Sequence, residues 1–194
     1  MNDPLDDPRD LSRRLIDTAL RLAAERGWKH TTLFDIAAET GVSLVEVYRL
    51  FPTRGALLAG LFRRVDAEVL VGTVEVDAEE TVRDRLFDVL MRRFDALEPC
   101  RPGIAAIVRD LRADPFLVAR LWPAFIRSMA WMLRAAGVDP AGASGLLQAG
   151  GLGTIYLTVL RVWLDDDTPD KARTMAALDA RLRRLEGVMG GFRG

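Results

Sequence analysis

The sequence predicts an all-α protein of about nine helices, and three observations lead to that class. Apolar residues recur at spacings of three and four along most of the chain, and no stretch alternates polar and apolar as a half-buried strand would. Residues that favour helix, Leu, Ala and Arg above all, outnumber the β-branched and aromatic residues that favour sheet. With 194 residues, 49% hydrophobic and 28% charged, the composition is that of a chain that folds throughout.

The elements follow in order. Residues 1–10 are acidic and proline-containing and are expected to form a disordered tail; they lack the basic start and apolar run of a signal peptide. Over residues 11–25, Leu11, Leu15, Ile16, Ala19, Leu22 and Ala23 keep helical spacing, and Gly27 suits a helix end. Trp28 is expected to anchor the turn. Thr31 or Thr32 can cap a short second helix holding Leu33, Ile36 and Ala37 inward, which Gly41 stops. Ser43 caps a third helix with Val47, Tyr48 and Phe51 on one side, and Pro52 ends it. Two short helices around a glycine-containing turn are the pattern of a helix-turn-helix, whose second helix can enter a major groove.

A fourth helix is expected over residues 54–70, an irregular acidic stretch over 71–80, and a fifth helix after the capping-box spacing of Thr81 and Asp84. Further helix-periodic segments cover residues 104–111, 116–136, 143–164 and 169–186. Asp114-Pro115, Asp139-Pro140 and Thr168-Pro169 each set a capping side chain before a proline, so helices are expected to begin at all three. Residues 146–164 approach the length of a bilayer span, but Gln148, the glycines and Arg161 interrupt them. A buried helix, with no stable membrane insertion, is the expectation.

Composition excludes several chemistries. A single Cys100 forms no intramolecular disulfide, and with only His30 beside it in the inventory it builds no zinc site; a cytoplasmic location suits this usage. There is no nucleophile elbow, no His-containing acid/base pair and no metal spacing, so neither an enzyme nor a cofactor is expected. Asp165, Asp166 and Asp167 are expected to solvate a loop and favour the helix start after it. The net charge is -1, so any contact with nucleic acid has to be local.

Taken together, Ile16-x-x-Ala19-x-x-Leu22, Gly27-Trp28-x-x-Thr31-Thr32, Ile36-Ala37-x-x-Thr40-Gly41-Val42-Ser43, Val47-Tyr48-x-x-Phe51 and Arg54-x-x-Leu57-Leu58 resemble the signature of the TetR family of transcriptional repressors. The resemblance covers residues 11–62 and rests on many spaced positions. It implies an amino-terminal three-helix, helix-turn-helix DNA-binding domain over residues 11–65. A carboxy-terminal helical domain for effector binding and dimerisation follows over 66–194. Ile16, Ala19, Leu22, Ile36, Ala37, Val42, Val47, Tyr48 and Phe51 would form the small core of the first domain.

By resemblance, the residues on double-stranded operator DNA would be Thr31, Thr32, Ser43, Leu44, Glu46, Tyr48, Arg49, Thr53 and Arg54. Helix-start amides and Arg54 would hold phosphates, which position a protein without reading sequence. The chain departs from the family at Leu50, where His or Tyr is usual, and at Gly55, where polar or acidic residues are usual. Its third helix also exposes Leu44, Val45 and Glu46, and the acidic member should repel phosphate. Residues 1–65 hold ten basic and nine acidic side chains, a near balance unlike most DNA-binding modules.

For the body, the resemblance implies a pocket among the middle helices and a homodimer through the last two. Phe94, Ile107, Phe116, Trp122, Phe125, Met129, Trp131 and Met132 could line a pocket for a small hydrophobic effector, or be plain core. Gly145, Ala149 and Gly153 form a small-residue strip that, with Tyr156, Leu160, Leu178 and Leu182, could seat a second subunit or serve close packing within one. The tail, Trp163-Leu164-x-Asp166-x-Thr168 with Thr174 and Leu178-Asp179-x-Arg181-Leu182, resembles the lipid-binding proteins of coenzyme Q biosynthesis that share the TetR fold. That implies a rival function, a lipid or isoprenoid carrier with a vestigial head.

Overall fold

The computed structural model describes residues 8–71 and 80–189, with side chains through residue 184. Among the described residues there are nine α-helices and no strand. They are α1 (Pro8–Arg26), α2 (Leu33–Thr40), α3 (Leu44–Leu50), α4 (Arg54–Val71), α5 (Val82–Leu97), α6 (Arg101–Leu111), α7 (Pro115–Ala135), α8 (Gly142–Leu164) and α9 (Ala172–Met189). Residues 1–7 of the expected tail and 72–79 of the acidic stretch lie outside the described residues, whereas Pro8, Arg9 and Asp10, expected in the tail, already belong to α1.

Local chemistry sets most of the boundaries. Thr32 and Asp35 exchange hydrogen bonds as a capping box at the start of α2, and Ser43 and Glu46 do the same for α3. Gly41 closes α2 in the left-handed region at φ 69°, where a side chain would be strained. Thr81 and Asp84 pair at the head of α5, and Asp114 accepts a hydrogen bond from the Leu117 amide at the head of α7.

Two proline starts come out differently. Helix α8 begins at Gly142, beyond Pro140, because the Pro140 backbone folds back over Gly145, where an added Cβ would lie 2.2 Å from the Pro140 carbonyl carbon. Helix α9 begins at Ala172 rather than Pro169. Thr168 caps it as expected, its Oγ1 accepting from the Ala172 amide at 3.0 Å, but a turn with Lys171 at φ 54° intervenes.

The chain forms two compact units whose boundaries fall inside α4 and α7. The first holds the described residues up to Arg64 together with Leu97–Pro123; the second holds Val65–Ala96 and the described residues from Ala124 onward. Residues 97–123, placed in the body by the sequence reading, therefore cluster with the head. Helix α6 packs along α1 so closely that a Cβ on Gly103 would lie 2.4 Å from the Leu20 carbonyl oxygen. In the second unit α8 packs against α9, with Leu152, Val159, Trp163, Leu178 and Leu182 buried. Among the described residues α7 and α8 are long and apolar enough to cross a membrane, by length and composition only.

Candidate nucleic-acid interface and buried body cluster

The core of the head aims α3. Leu15, Ile16, Ala19, Leu22 and Ala23 of α1, Ile36 and Ala37 of α2, Val47 of α3 and Phe51 beyond it are all buried. Two expected core members behave otherwise: Val42 is half-buried and Tyr48 is 64% exposed. With Val47 turned inward, a period of 3.6 residues points Val45 and Arg49 away from the core and Leu44 and Tyr48 to one flank. The outer surface of α3 is thus Leu44, Val45, Tyr48 and Arg49, all exposed.

Glu46 does not project freely from this surface. Its carboxylate accepts from the Ser43 hydroxyl at 2.6 Å and the Ser43 amide at 3.2 Å, and the hydroxyl bond with Ser43, then the amide bond, hold its pKa below the ordinary value. The negative charge expected to repel phosphate stays ionised but is oriented to the helix start, where it favours the first turn of α3. Thr32 is exposed and committed in the same manner to Asp35, whose pKa is lowered by the Thr32 side-chain and backbone bonds.

Other expected contacts are placed as follows. Thr53 is exposed, and its Oγ1 accepts from the Ala56 amide at 3.0 Å, capping α4. Arg54 lies with its guanidinium 4.7 Å above the Trp28 ring and donates to the Lys29 carbonyl; its partial burial lowers its pKa, against the pull of Asp114 and Asp110. Thr31 is a correction: it is fully buried and donates to the Gly27 carbonyl at 3.0 Å, so it belongs to the fold of the turn and not to the interface.

Sequence reasoning missed two residues of the head. Phe34 stands 70% exposed in the first turn of α2, two positions after the Thr32 cap, and the sequence reading assigned it no role. Asp110 of α6 accepts from the Lys29 amide at 2.9 Å, tying α6 to the turn after α1. That bond, with Arg109 secondary to it, lowers the Asp110 pKa. No local signal announces a pairing 81 residues apart.

Residues 15–61 match the family model of bacterial regulatory proteins of the TetR family. A TetR transcriptional regulator from Nitrosomonas europaea is 26% identical, over 90% of this chain and 97% of that one, with a TM-score of 0.69. Residues 15–61 are thus similar to the amino-terminal module of that family, and the whole chain shares the fold of its solved members. Similarity of fold alone extends to a TetR transcriptional regulator from a Rhodococcus species, at 21% identity, TM-score 0.56, over 91% of this chain and 97% of that one. It extends also to the secondary repressor of a multidrug efflux pump in Pseudomonas aeruginosa, at 18% identity, TM-score 0.53, over 90% and 95%. No curated protein matches the chain.

In the second unit, four of the eight expected pocket residues come together. Phe94, Phe125, Met129 and Met132 are buried with Tyr156 and Trp163; Phe94 stacks on Tyr156 at 5.2 Å and lies 5.6 Å from Trp163. Within this apolar group sits a buried ion pair. Arg93 donates to the Asp66 carboxylate, the Ser128 hydroxyl donates to the same oxygen at 2.6 Å, and the guanidinium lies 5.2 Å from the Tyr156 ring. Burial opposes the Arg93 charge, but Tyr156 and Asp66 outweigh it and raise the pKa.

The other four do not join. Ile107 is buried in the first unit, and Phe116, Trp122 and Trp131 are exposed. For Phe116 and Trp131 the reason is spacing: the buried positions of α7, Leu121, Phe125, Ile126, Met129, Met132 and Leu133, keep three-and-four intervals that these two break, whereas Trp122 is in register with Phe125 and Ile126 and is nonetheless 44% exposed. Trp131 instead lies under the Arg134 guanidinium at 5.1 Å.

The expected dimer residues are corrected as a group. Gly145, Ala149, Gly153, Tyr156, Leu160, Leu178 and Leu182 are all buried by the chain itself. A Cβ on Gly153 would meet the Phe125 ring at 2.8 Å, so the small-residue strip lets α7 side chains approach α8. The opposite side of α8 exposes Leu146, Leu147 and Leu157.

The tail motif also acquires a structural role. Asp166, expected in a solvated loop, is buried and accepts from the amides and hydroxyls of both Thr168 and Thr174, at 2.6 to 3.2 Å. Burial would raise its pKa, yet these bonds hold it far below the usual carboxylate range. Asp165 and Asp167 are exposed as expected. Asp166, Thr168 and Thr174 thus lock the connection from α8 to α9.

Proposed function

We propose that the protein is a cytoplasmic, homodimeric transcriptional repressor whose hold on an operator is controlled by a small hydrophobic effector. The observation that carries this reading is the outward, doubly capped α3 on a head that matches the TetR family model. In a helix-turn-helix dimer two such helices occupy successive major grooves, and a change in their separation releases the DNA. The contact set is Thr32, Ser43, Leu44, Glu46, Tyr48, Arg49, Thr53 and Arg54, extended by Phe34 and Val45.

In this reading the dimer forms through the exposed side of α8, where Leu146, Leu147 and Leu157 offer apolar area, and through α9. The effector enters the second unit among Phe94, Phe125, Met129 and Met132, whose flexible thioethers adapt to an apolar guest. No catalysis and no membrane insertion are part of the reading.

A salt titration of binding to the duplex upstream of its own gene tests it. Tight binding that weakens steeply as salt rises is the expected result, since phosphate contacts release counterions. Absence of binding at low salt would overturn the reading. The near balance of charge in the head favours the rival, a lipid or isoprenoid carrier. That rival predicts lipid extracted from the purified protein and no binding to any duplex.

A further inference from the structure

The outer surface of α3 is chemically specific in what it lacks. Its seven residues, Leu44–Leu50, include no Asn, Gln, Lys or His and a single Arg49. Leu44, Val45 and Tyr48 stand 50%, 59% and 64% exposed, while Val47 alone is fully buried. Each base offers the major groove a different partner. Guanine takes Arg or Lys, adenine takes Asn or Gln, cytosine donates to a carboxylate, and thymine presents a C5 methyl to apolar side chains.

Elimination then proceeds from the geometry. No side chain on the helix suits adenine. The carboxylate that could accept from cytosine, Glu46, is turned back to the helix start, where its Oε2 accepts from both the Ser43 hydroxyl and amide, and the Ser43 hydroxyl accepts from the Glu46 amide in return. Arg49 is the one cation on the helix able to reach guanine or a phosphate, and the Tyr48 hydroxyl is the one other polar tip on its outer surface. Thymine is the only base for which several side chains are offered at once. Three large apolar groups on two turns of helix are also poorly hydrated, and methyl groups set against them would relieve that.

We propose that α3 recognises DNA chiefly through thymine methyl groups, with Leu44 and Val45 as the specificity-determining residues and Arg49 adding one polar contact. The preferred half-site is rich in T·A pairs where it faces these two side chains. The inference rests on the DNA-binding reading above.

The test uses the full-length protein and a randomised duplex pool, from which the tightest-bound sequence is selected and resynthesised with deoxyuridine in place of thymidine. Uracil keeps every hydrogen-bonding group and lacks only the methyl. The expected result is a T·A-rich selected half-site and a loss of affinity on substitution of about fourfold per covered methyl. In the double variant Leu44→Ala/Val45→Ala the ratio between thymine and uracil duplexes should fall towards one. Because both side chains are exposed, the variant keeps its helix content, which circular dichroism checks.

Equal binding of the two duplexes by the unmodified protein overturns the proposal. So does a thymine preference that survives in the double variant, since the methyl sensitivity would then lie elsewhere. If no sequence is enriched from the pool at low salt, the DNA-binding reading falls and this inference falls with it. The two failures are therefore told apart by whether a duplex is bound at all.

Discussion

In the first unit the carboxylates of Asp35 and Glu46 sit at helix starts near the surface, each accepting from a partner three residues away. In the second unit Asp66 and Asp166 are buried, and Asp66 draws its partners from 27 and 62 residues away. The first arrangement shapes a surface helix by local bonds that cost little to change. The second holds charge inside an apolar core, where a lost partner leaves an uncompensated group. Substitutions in the two units should therefore separate into effects on binding and effects on stability.

The largest effect is expected at the buried pair. Arg93→Met alone strands the Asp66 carboxylate and should destabilise the fold by about 3–5 kcal/mol, the cost typical of breaking a buried pair. Arg93→Met combined with Asp66→Leu removes both charges and should recover most of that loss, leaving Ser128 as the one hydroxyl to be rehydrated or repaired. Urea denaturation of the two variants decides between these outcomes. A double variant no more stable than the single would show that the pair itself, and not the unmet charge, carries the stability.

Next in size is Asp166→Asn, which keeps the shape and removes the charge that four donors hold. The folded-state pKa lies below the unfolded one, so this stabilisation is fully present above the ordinary aspartate value of 3.8 and is lost as pH falls below it. Thermal melts should show the protein more stable than the variant at neutral pH, with the gap closing in acid. A gap independent of pH would mean that the hydrogen bonds, and not the charge, matter.

The same contrast explains what was legible in the sequence. Helix-turn-helix geometry is written locally: the cap at Ser43, the stop at Gly41 and the inward Val47 lie within seven residues, and the structure places each as read. The order of the helices was likewise set by periodicity and caps. Contacts distant in sequence were not legible. Nothing near Asp110 points to Lys29, and nothing near Arg93 points to Asp66, because charged side chains look solvated until the fold brings a partner. The small-residue strip of α8 was read as a close-approach surface, but which neighbour approaches is fixed by tertiary packing, and Pro140, Phe125 and Met129 take the place.

A smaller effect is expected in the head at Ser43→Ala. It removes the hydroxyl that accepts from the Glu46 amide and should cost about 1 kcal/mol of stability, the usual value of an N-cap. It also frees the Glu46 carboxylate to face phosphate, so DNA affinity should fall further than the loss of stability accounts for. Pairing it with Glu46→Gln separates the two causes, because only the charge effect is relieved.

The smallest effect on stability, and the cleanest on binding, belongs to Arg49→Ala. The side chain is exposed, caps nothing and lies almost opposite Val47, so denaturation should move by less than about 0.5 kcal/mol. If Arg49 contacts a phosphate, the slope of log affinity against log salt should become shallower by about one, with sequence preference unchanged. If it reads a guanine instead, preference at one position should relax while the slope barely moves. Either result places α3 on the duplex. A variant that loses stability but not affinity would mean that the exposed surface of the first unit follows the rules of the second, and that α3 is a packing element after all.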